Sequence, residues 1–394
     1  MTGAGRGDIQ ALADATVRLC RDFYQTDEPI ELYRPAFDAS DETAIAQVLS
    51  SGWVAMGGYR VREFEQLIAK RVGRREGLAT IHATAALELG LRALGVQAGD
   101  GVITQANTFI APANAISYLS ATPFFIDVDK DTLGMSPKAL SAFLETECER
   151  QSDRLYHRLT GQRMAACLPV HALGLPARIH ELIAVCERHQ IPVLEDAAEA
   201  LGSGWMIDDV FHPCGGFGQA SVVSFNANKI MTTGSGGMLL SNDVDWLDSI
   251  RHLAKIAKIP HACETAFDAV GYNFAMPNLN AALGLSQFQK LDRMLEAKQL
   301  LDNRYQALVR DMDGVSMLQA PPESQSNHWI HALLFEEPEE AQHFIEQTRS
   351  AGVLTRPLWT PLHRLAPYQD APRTALPNTE WLASRVVQLP SAPG

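Results

Sequence analysis

Lys229 stands between an apolar run, residues 220–225, and a glycine-rich turn, Thr233-Gly234-Ser235-Gly236-Gly237. Val222, Val223 and Phe225 suit a covered strand. Glycines permit backbone angles and close approaches that a Cβ resists. A lysine held at such a turn can be desolvated, which lowers its pKa and frees the amine to attack a carbonyl. That is the chemistry of a Schiff-base lysine. A lone lysine is more often a solvated surface charge, so the other segments must decide.

Three further segments carry matching chemistry. Small residues open a helix at His82-Ala83-Thr84-Ala85-Ala86-Leu87, and a helix start presents free N–H groups that suit a phosphate. Two adjacent acids, Glu195 and Asp196, end an apolar run, and Glu199 follows. A buried Asp there needs a cationic partner, although Asp is also a common helix N-cap. Phe109, after Thr108, offers a face on which a planar ring can stack, although a lone Phe is more often core. Ser224, just ahead of the lysine segment, can donate to a phosphate.

These groups converge only if each ends a strand or opens a helix. Strand-like runs fall at 101–104, 122–128, 165–173, 192–197, 220–225 and 237–241, and helical spacing at 83–94 and 178–189. Alternating strands and helices predict an α/β fold with a mostly parallel sheet covered on both faces. In such sheets ligands sit beyond the carboxyl ends of the strands. Residues 37–72 suggest two helices around a Gly-rich turn at 52–58, and 276–308 reads as one long helix leading to a smaller C-terminal domain. The chain stops in a turn-like sequence at Pro393-Gly394, beyond which a short helical tail is expected.

Composition narrows the classes. The 394 residues suffice for a large domain and a smaller one. A formal net charge of -13 argues against a nucleic-acid partner, which needs a basic patch. The six cysteines show no metal-ligand spacing, so no metal is expected and they read as free thiols of a reducing cytosol. No apolar segment suits a signal peptide or a membrane span, so a cytoplasmic protein is expected.

The motifs occur together in a familiar order. They are Gly52-Trp53, Phe64-Glu65, Thr84-Ala85-Ala86-Leu87, Gly99-Asp100, Pro169-Val170-His171, Glu195-Asp196-Ala197, Ser224-Phe225 with Lys229, Gly236-Gly237 and Gly271-Tyr272-Asn273. In this set the chain, from about residue 30 to 393, resembles the DegT/StrS family of nucleotide-sugar aminotransferases. These use pyridoxal 5'-phosphate on the aspartate-aminotransferase fold (fold type I). The Ser-Phe-Asn-x-Asn-Lys-Ile and Glu-Asp-Ala-x-Glu forms are most similar to the branch serving legionaminic-acid-type sugars. The resemblance implies a large cofactor-binding domain at 30–275 after an N-terminal extension at 1–29, and a long helix with a small α+β domain at 276–394.

By that resemblance Lys229 is the Schiff-base lysine. Asp196 pairs with the pyridine nitrogen, Phe109 stacks on the ring, and Ala83, Thr84 and Ser224 hold the phosphate. Glu199 lies near the 3-hydroxyl, and Asn273 reaches the phosphate of a neighbouring subunit in a homodimer. L-glutamate, leaving as 2-oxoglutarate, charges the cofactor to pyridoxamine phosphate. A UDP-linked 4-keto-6-deoxy-N-acetylhexosamine then takes the amine, for bacterial surface sugars of the O-antigen and lipopolysaccharide kind. His328, Arg356 and His363 fall in a region that often faces substrate in that family.

Two departures stand out. His82-Ala83-Thr84 replaces the usual Ser-Gly-Thr or Asn-Gly-Thr, and Asn273-Phe274-Ala275 replaces Asn-Tyr-Arg. The missing arginine opens the question of which residue meets substrate anions. Two rival readings remain: a sugar dehydratase on the same fold, against which Lys229 speaks, and a cofactor-binding regulatory protein without catalysis.

Overall fold

The computed structural model describes residues 6–56, 58–259 and 264–393. Seven strands build the central sheet: β1 (Glu76–Thr80), β2 (Gly101–Gln105), β3 (Thr122–Ile126), β4 (Met164–Cys167), β5 (Leu194–Asp196), β6 (Ala220–Ser224) and β7 (Gly237–Ser241). Their order is β1-β7-β6-β5-β4-β2-β3, with parallel bridges Cys167–Val193 and Val170–Asp196 joining β4 to β5. β2 is parallel to β3 and β4, and β5 to β6; β7 is antiparallel to both its neighbours. The expected α/β class and the mostly parallel sheet are therefore present.

Successive residues of a strand point to opposite faces, and here both faces are dry. Val222 and Leu239 pack on one side with Leu87, Leu91, Ile116, Leu247 and Ile250. Their sequence neighbours Val223, Met238 and Leu240 pack on the other with Phe64, Ile68 and Leu285. The helices supplying these side chains include α3 (Tyr59–Arg71), α4 (Ala83–Ala93), α5 (Ala111–Tyr118) and α8 (Val244–Ala254), after α1 (Arg6–Tyr24) and α2 (Ala39–Ser51). Two more, α6 (Pro137–Thr146) and α7 (Ile179–His189), cover β2, β3 and β4 through Leu140, Phe143, Leu182 and Cys186.

Two expectations need correction. The single helix over 276–308 is two: α9 (Asn278–Phe288) and α10 (Leu291–Val309). The apolar spacing runs across the junction, but the faces serve different cores. Ala281 and Leu285 bury into the large-domain sheet, whereas Leu301, Tyr305 and Val309 bury with the C-terminal elements. Lys290 pins the break by pairing with Asp38 and Asp41 at the start of α2. The run at 165–173 likewise stops being strand at Cys167, and ends in a tight turn at Ala172–Gly174 where Leu173 adopts φ 57°.

The C-terminal sheet has the order β8-β9-β11-β10, with β8 (Val315–Met317), β9 (Ala332–Phe335), β10 (Arg356–Pro357) and β11 (Val386–Gln388), all antiparallel. α11 (Pro338–Ser350) covers it. α1 is built into the same core: Ile9, Leu12 and Cys20 are buried with Tyr305, Phe335 and Phe344. Cys20, Cys148, Cys167, Cys186 and Cys214 are free and buried; Cys263 lies outside the described residues. Among the described residues no helix is long and apolar enough to cross a membrane.

Candidate functional site

A cavity of about 600 Å³ opens beyond the carboxyl ends of β5 and β6, walled on the far side by the C-terminal domain. Strand-end placement is what gathers chemistry here. Of the residues singled out in the sequence, Ala83, Thr84, Phe109, Asp196, Glu199, Ser224, Lys229 and Arg356 all line it.

Lys229 is positioned by a turn that the glycines make possible. Phe225 continues β6 by bonding Gly236, and Lys229 N donates to Asn226 O at 3.0 Å. A Cβ on Gly237 would lie 2.4 Å from Ala83 Cα, so only glycine lets β7 pass the start of α4. The Lys229 ammonium lies 3.2 Å from Glu199 Oε1 and 3.9 Å from the centre of the Trp329 ring. Trp329 is itself fixed by its Nε1–H donating to Asn228 O at 2.6 Å. The other Glu199 oxygen accepts from Leu173 N at 2.9 Å. That contact explains the left-handed Leu173: the backbone strain aims an N–H at the carboxylate that faces Lys229.

Asp196 ends β5 nearly buried. Burial pushes its carboxyl up to about 6, although Ala198 N donates to Oδ1 at 3.0 Å. A carboxylate in that position is short of a cation, and a protonated ring nitrogen in the cavity would supply it. Behind it, the side chain of Glu195 turns away from the cavity. Burial opposes its charge, yet His171, Arg74 and the N–H of Gly215 outweigh this and hold its pKa below the usual carboxylate range. Since His171 Nδ1 accepts from Ala177 N, its proton lies on Nε2 and is donated to Glu195 at 2.9 Å.

At the opening of α4, Ala83 N and Thr84 N find no acceptor among the described residues. His82 is the N-cap: its Nδ1 accepts from Ala85 N at 3.0 Å. Burial lowers its pKa, so the ring is neutral with its proton on Nε2. Ser224 Oγ accepts from Asn226 N at 3.3 Å, leaving its proton for a ligand. Two free amides, a hydroxyl and a helix dipole form an anion cradle. Phe109, 56% exposed, stands at the cavity mouth.

Not every expected residue arrives. His328 does not line the cavity; its ring turns to Asp302 and Gln299, and the next residue, Trp329, forms the wall instead. His328 sits at φ 50°, a left-handed turn that swings its ring away while Trp329 faces in. His363 pairs with Glu380 at 2.7 Å, also off the cavity. Asn273 is exposed and outside this chain's cavity, held by a backbone bridge to Lys255. Arg356 does line it, and makes no ion pair among the described residues. Sequence reasoning passed over Trp329, Tyr33, Trp359 and Gln388, which lie in segments without a motif.

The residues present fit pyridoxal phosphate: the α4 cradle would take the phosphate, Asp196 a protonated ring nitrogen, Phe109 the ring face and Lys229 the carbonyl. Site and sheet order together define a pyridoxal-phosphate-dependent enzyme of fold type I, the aspartate-aminotransferase fold. The Bacillus subtilis (strain 168) protein EpsN, named as a pyridoxal phosphate-dependent aminotransferase, is 35% identical over 334 residues, covering 85% of this chain and 82% of its own. GDP-perosamine synthase of Escherichia coli O157:H7 is 29% identical over 92% of this chain and 93% of its own. The crystal structure of DesI with its TDP-sugar product superposes with TM-score 0.80 at 29% identity, covering 94% of this chain and 90% of that one. Residues 35–394 match the DegT/DnrJ/EryC1/StrS aminotransferase family, and the chain belongs to it. It is thus a pyridoxal-phosphate-dependent sugar aminotransferase.

Proposed function

We propose that the enzyme moves an amino group from L-glutamate to carbon 4 of a nucleotide-linked 4-keto-6-deoxy sugar, with a UDP-linked N-acetylhexosamine as substrate, in the making of bacterial surface sugars such as O-antigen. The observation that carries this reading is the placement of Lys229, between Glu199 and Trp329, in a cavity that also holds the guanidinium of Arg356, which has no ion pair among the described residues. The names of EpsN, GDP-perosamine synthase and DesI support the sugar class.

When bound, pyridoxal phosphate supplies an electron sink that makes a proton on the neighbouring carbon labile. The chain's residues do the rest. Asp196 holds the ring nitrogen protonated by opposite charge. Ala83, Thr84 and Ser224 anchor the phosphate. Lys229 would hold the carbonyl end of the cofactor, and its Nζ would take and return the proton at the substrate carbon. Glu199, held by Leu173, keeps that ammonium aimed into the cavity. Trp329 covers it from below and limits water at Nζ. Arg356 meets the sugar-nucleotide diphosphate in place of the arginine that Ala275 replaces, and a local cation there overrides the global charge of -13.

The working unit in this reading is a cytoplasmic homodimer with shared sites. Trp53 and Tyr59 are each 70% exposed and Val270 93%, apolar side chains that a partner subunit would cover. Asn273, exposed two residues beyond Gly271, reaches the partner's phosphate cradle. The test is incubation of the holoenzyme with 15N-glutamate and the keto-sugar. Label at carbon 4 of the sugar confirms donor and position; label retained in glutamate overturns the donor.

A further inference from the structure

α10 and the segment after β8 enclose a second cluster, on the far side of Trp329 from the cofactor cavity. Asp302 is buried on α10, its side chain 1% exposed, and among the described residues its Oδ1 takes no hydrogen bond. That oxygen lies 3.4 Å from His328 Nδ1 and 3.9 Å from His331 Nε2. The nearby Lys298 ammonium does not serve it, since its protons go to the carbonyls of His328, Trp329 and Ser391.

The protons of the two imidazoles can be placed from their outer partners. Ser391 Oγ donates to Leu389 O at 2.7 Å and accepts from His331 N at 2.8 Å. His331 Nε2 donates to the Lys298 carbonyl at 3.2 Å, but Ser391 Oγ has a remaining lone pair 3.0 Å from Nδ1, so the proton can move to Nδ1 when an ion takes Nε2. Gln299 presents Oε1 to His328 Nε2 at 3.1 Å, its amide oriented by donating to Asn303. The His328 proton thus sits on Nε2, and Nδ1 is bare. With the His331 proton on Nδ1, two ring nitrogens and a carboxylate oxygen lie within 4.8 Å of one another, free to share an ion. Each ring nitrogen turned away is held by an acceptor, and Asp302 Oδ2 is held by Gln306 Nε2, as supporting residues hold metal ligands.

We propose that Asp302, His328 and His331 bind one divalent transition-metal ion, with Zn2+ the best match to two imidazoles and a carboxylate. The ion ties α10 to the segment carrying Trp329, and so braces the wall beneath Lys229. It is structural and takes no part in amino transfer.

The test uses untagged holoenzyme freed of metal with EDTA, then dialysed against micromolar Zn2+ or Co2+ and analysed for bound metal. One ion per chain is expected, with a higher Tm than the metal-free enzyme. His328→Gln and Asp302→Asn should each weaken uptake at least about tenfold. X-ray absorption of Zn2+-loaded wild type should show two imidazoles and no sulfur, a readout that survives if the variants misfold. No uptake by wild type would overturn the proposal and leave His328 and Asp302 as a simple polar pair. A sulfur ligand would also overturn it, since it would put the ion at His171, Glu195 and Cys214.

Discussion

Replacing Asp196 by Asn should stabilise the cofactor-free protein while crippling the enzyme. Burial lifts the Asp196 carboxyl to about 6, against 3.8 for an exposed group. Two pH units of displacement correspond to roughly 3 kcal/mol of charge held against its preference. The sign follows from proton uptake. Between pH 4 and pH 6 the folded cofactor-free chain binds the proton more readily than the unfolded chain, so stability falls as pH rises through that window. Above pH 6 the full penalty remains. Asn keeps the shape and the Ala198 contact without the charge, so the cofactor-free variant should melt a few degrees higher at pH 7 and no differently at pH 4. With cofactor the balance reverses, because the ring nitrogen loses its counter-charge. Turnover should fall at least about a hundredfold, or about 2.7 kcal/mol of barrier. The assays are thermal melts of cofactor-free protein at both pH values and steady-state rates of the holoenzyme. Near-normal turnover, or a variant that melts lower at pH 7 than wild type, would refute the reasoning.

Three further outcomes are expected. Lys229→Ala should remove the visible absorbance of the holoenzyme and multiple turnover, and borohydride should fix the cofactor of the wild type to a peptide containing Lys229; labelling of another lysine contradicts the assignment. Trp329→Leu, which removes the ring 3.9 Å from Lys229 Nζ, should cost about tenfold in kcat, about 1.4 kcal/mol, within the range of a desolvated cation–π contact, with the fold retained by circular dichroism. Lys229→Ala and Asn273→Asp, each inactive alone, should regain part of their activity when co-refolded, because one site of the mixed dimer holds both defects and the other neither; heterodimers that stay inactive rule out shared sites.

Strand ends were legible because their signals are local. The run 220–225 and the paired acids Glu195-Asp196 carry both periodicity and chemistry, and β7 matches its predicted span, 237–241. The break between α9 and α10 was hidden because apolar spacing continues through Phe288 and Leu291 while the buried face changes partner. The strained Leu173 left no trace, since its conformation answers to Glu199, 26 residues on. The His328-Trp329 pair shows the sharpest limit: a left-handed turn at His328 decides which side chain meets the cofactor cavity, and the Lys298 ammonium that holds both their carbonyls lies 30 residues before His328.

The central claim is that this site transfers nitrogen to a keto-sugar. The most direct measurement is a single-turnover reaction of the enzyme charged with pyridoxamine phosphate, followed by its absorbance after mixing with acceptor. A UDP-linked 4-keto-6-deoxy-N-acetylhexosamine should return the cofactor to the aldehyde form within one turnover, and keto acids other than 2-oxoglutarate should react far more slowly. If pyruvate or an aromatic keto acid reacts as fast as every keto-sugar tested, the account is contradicted and the site belongs to a general amino-acid transaminase.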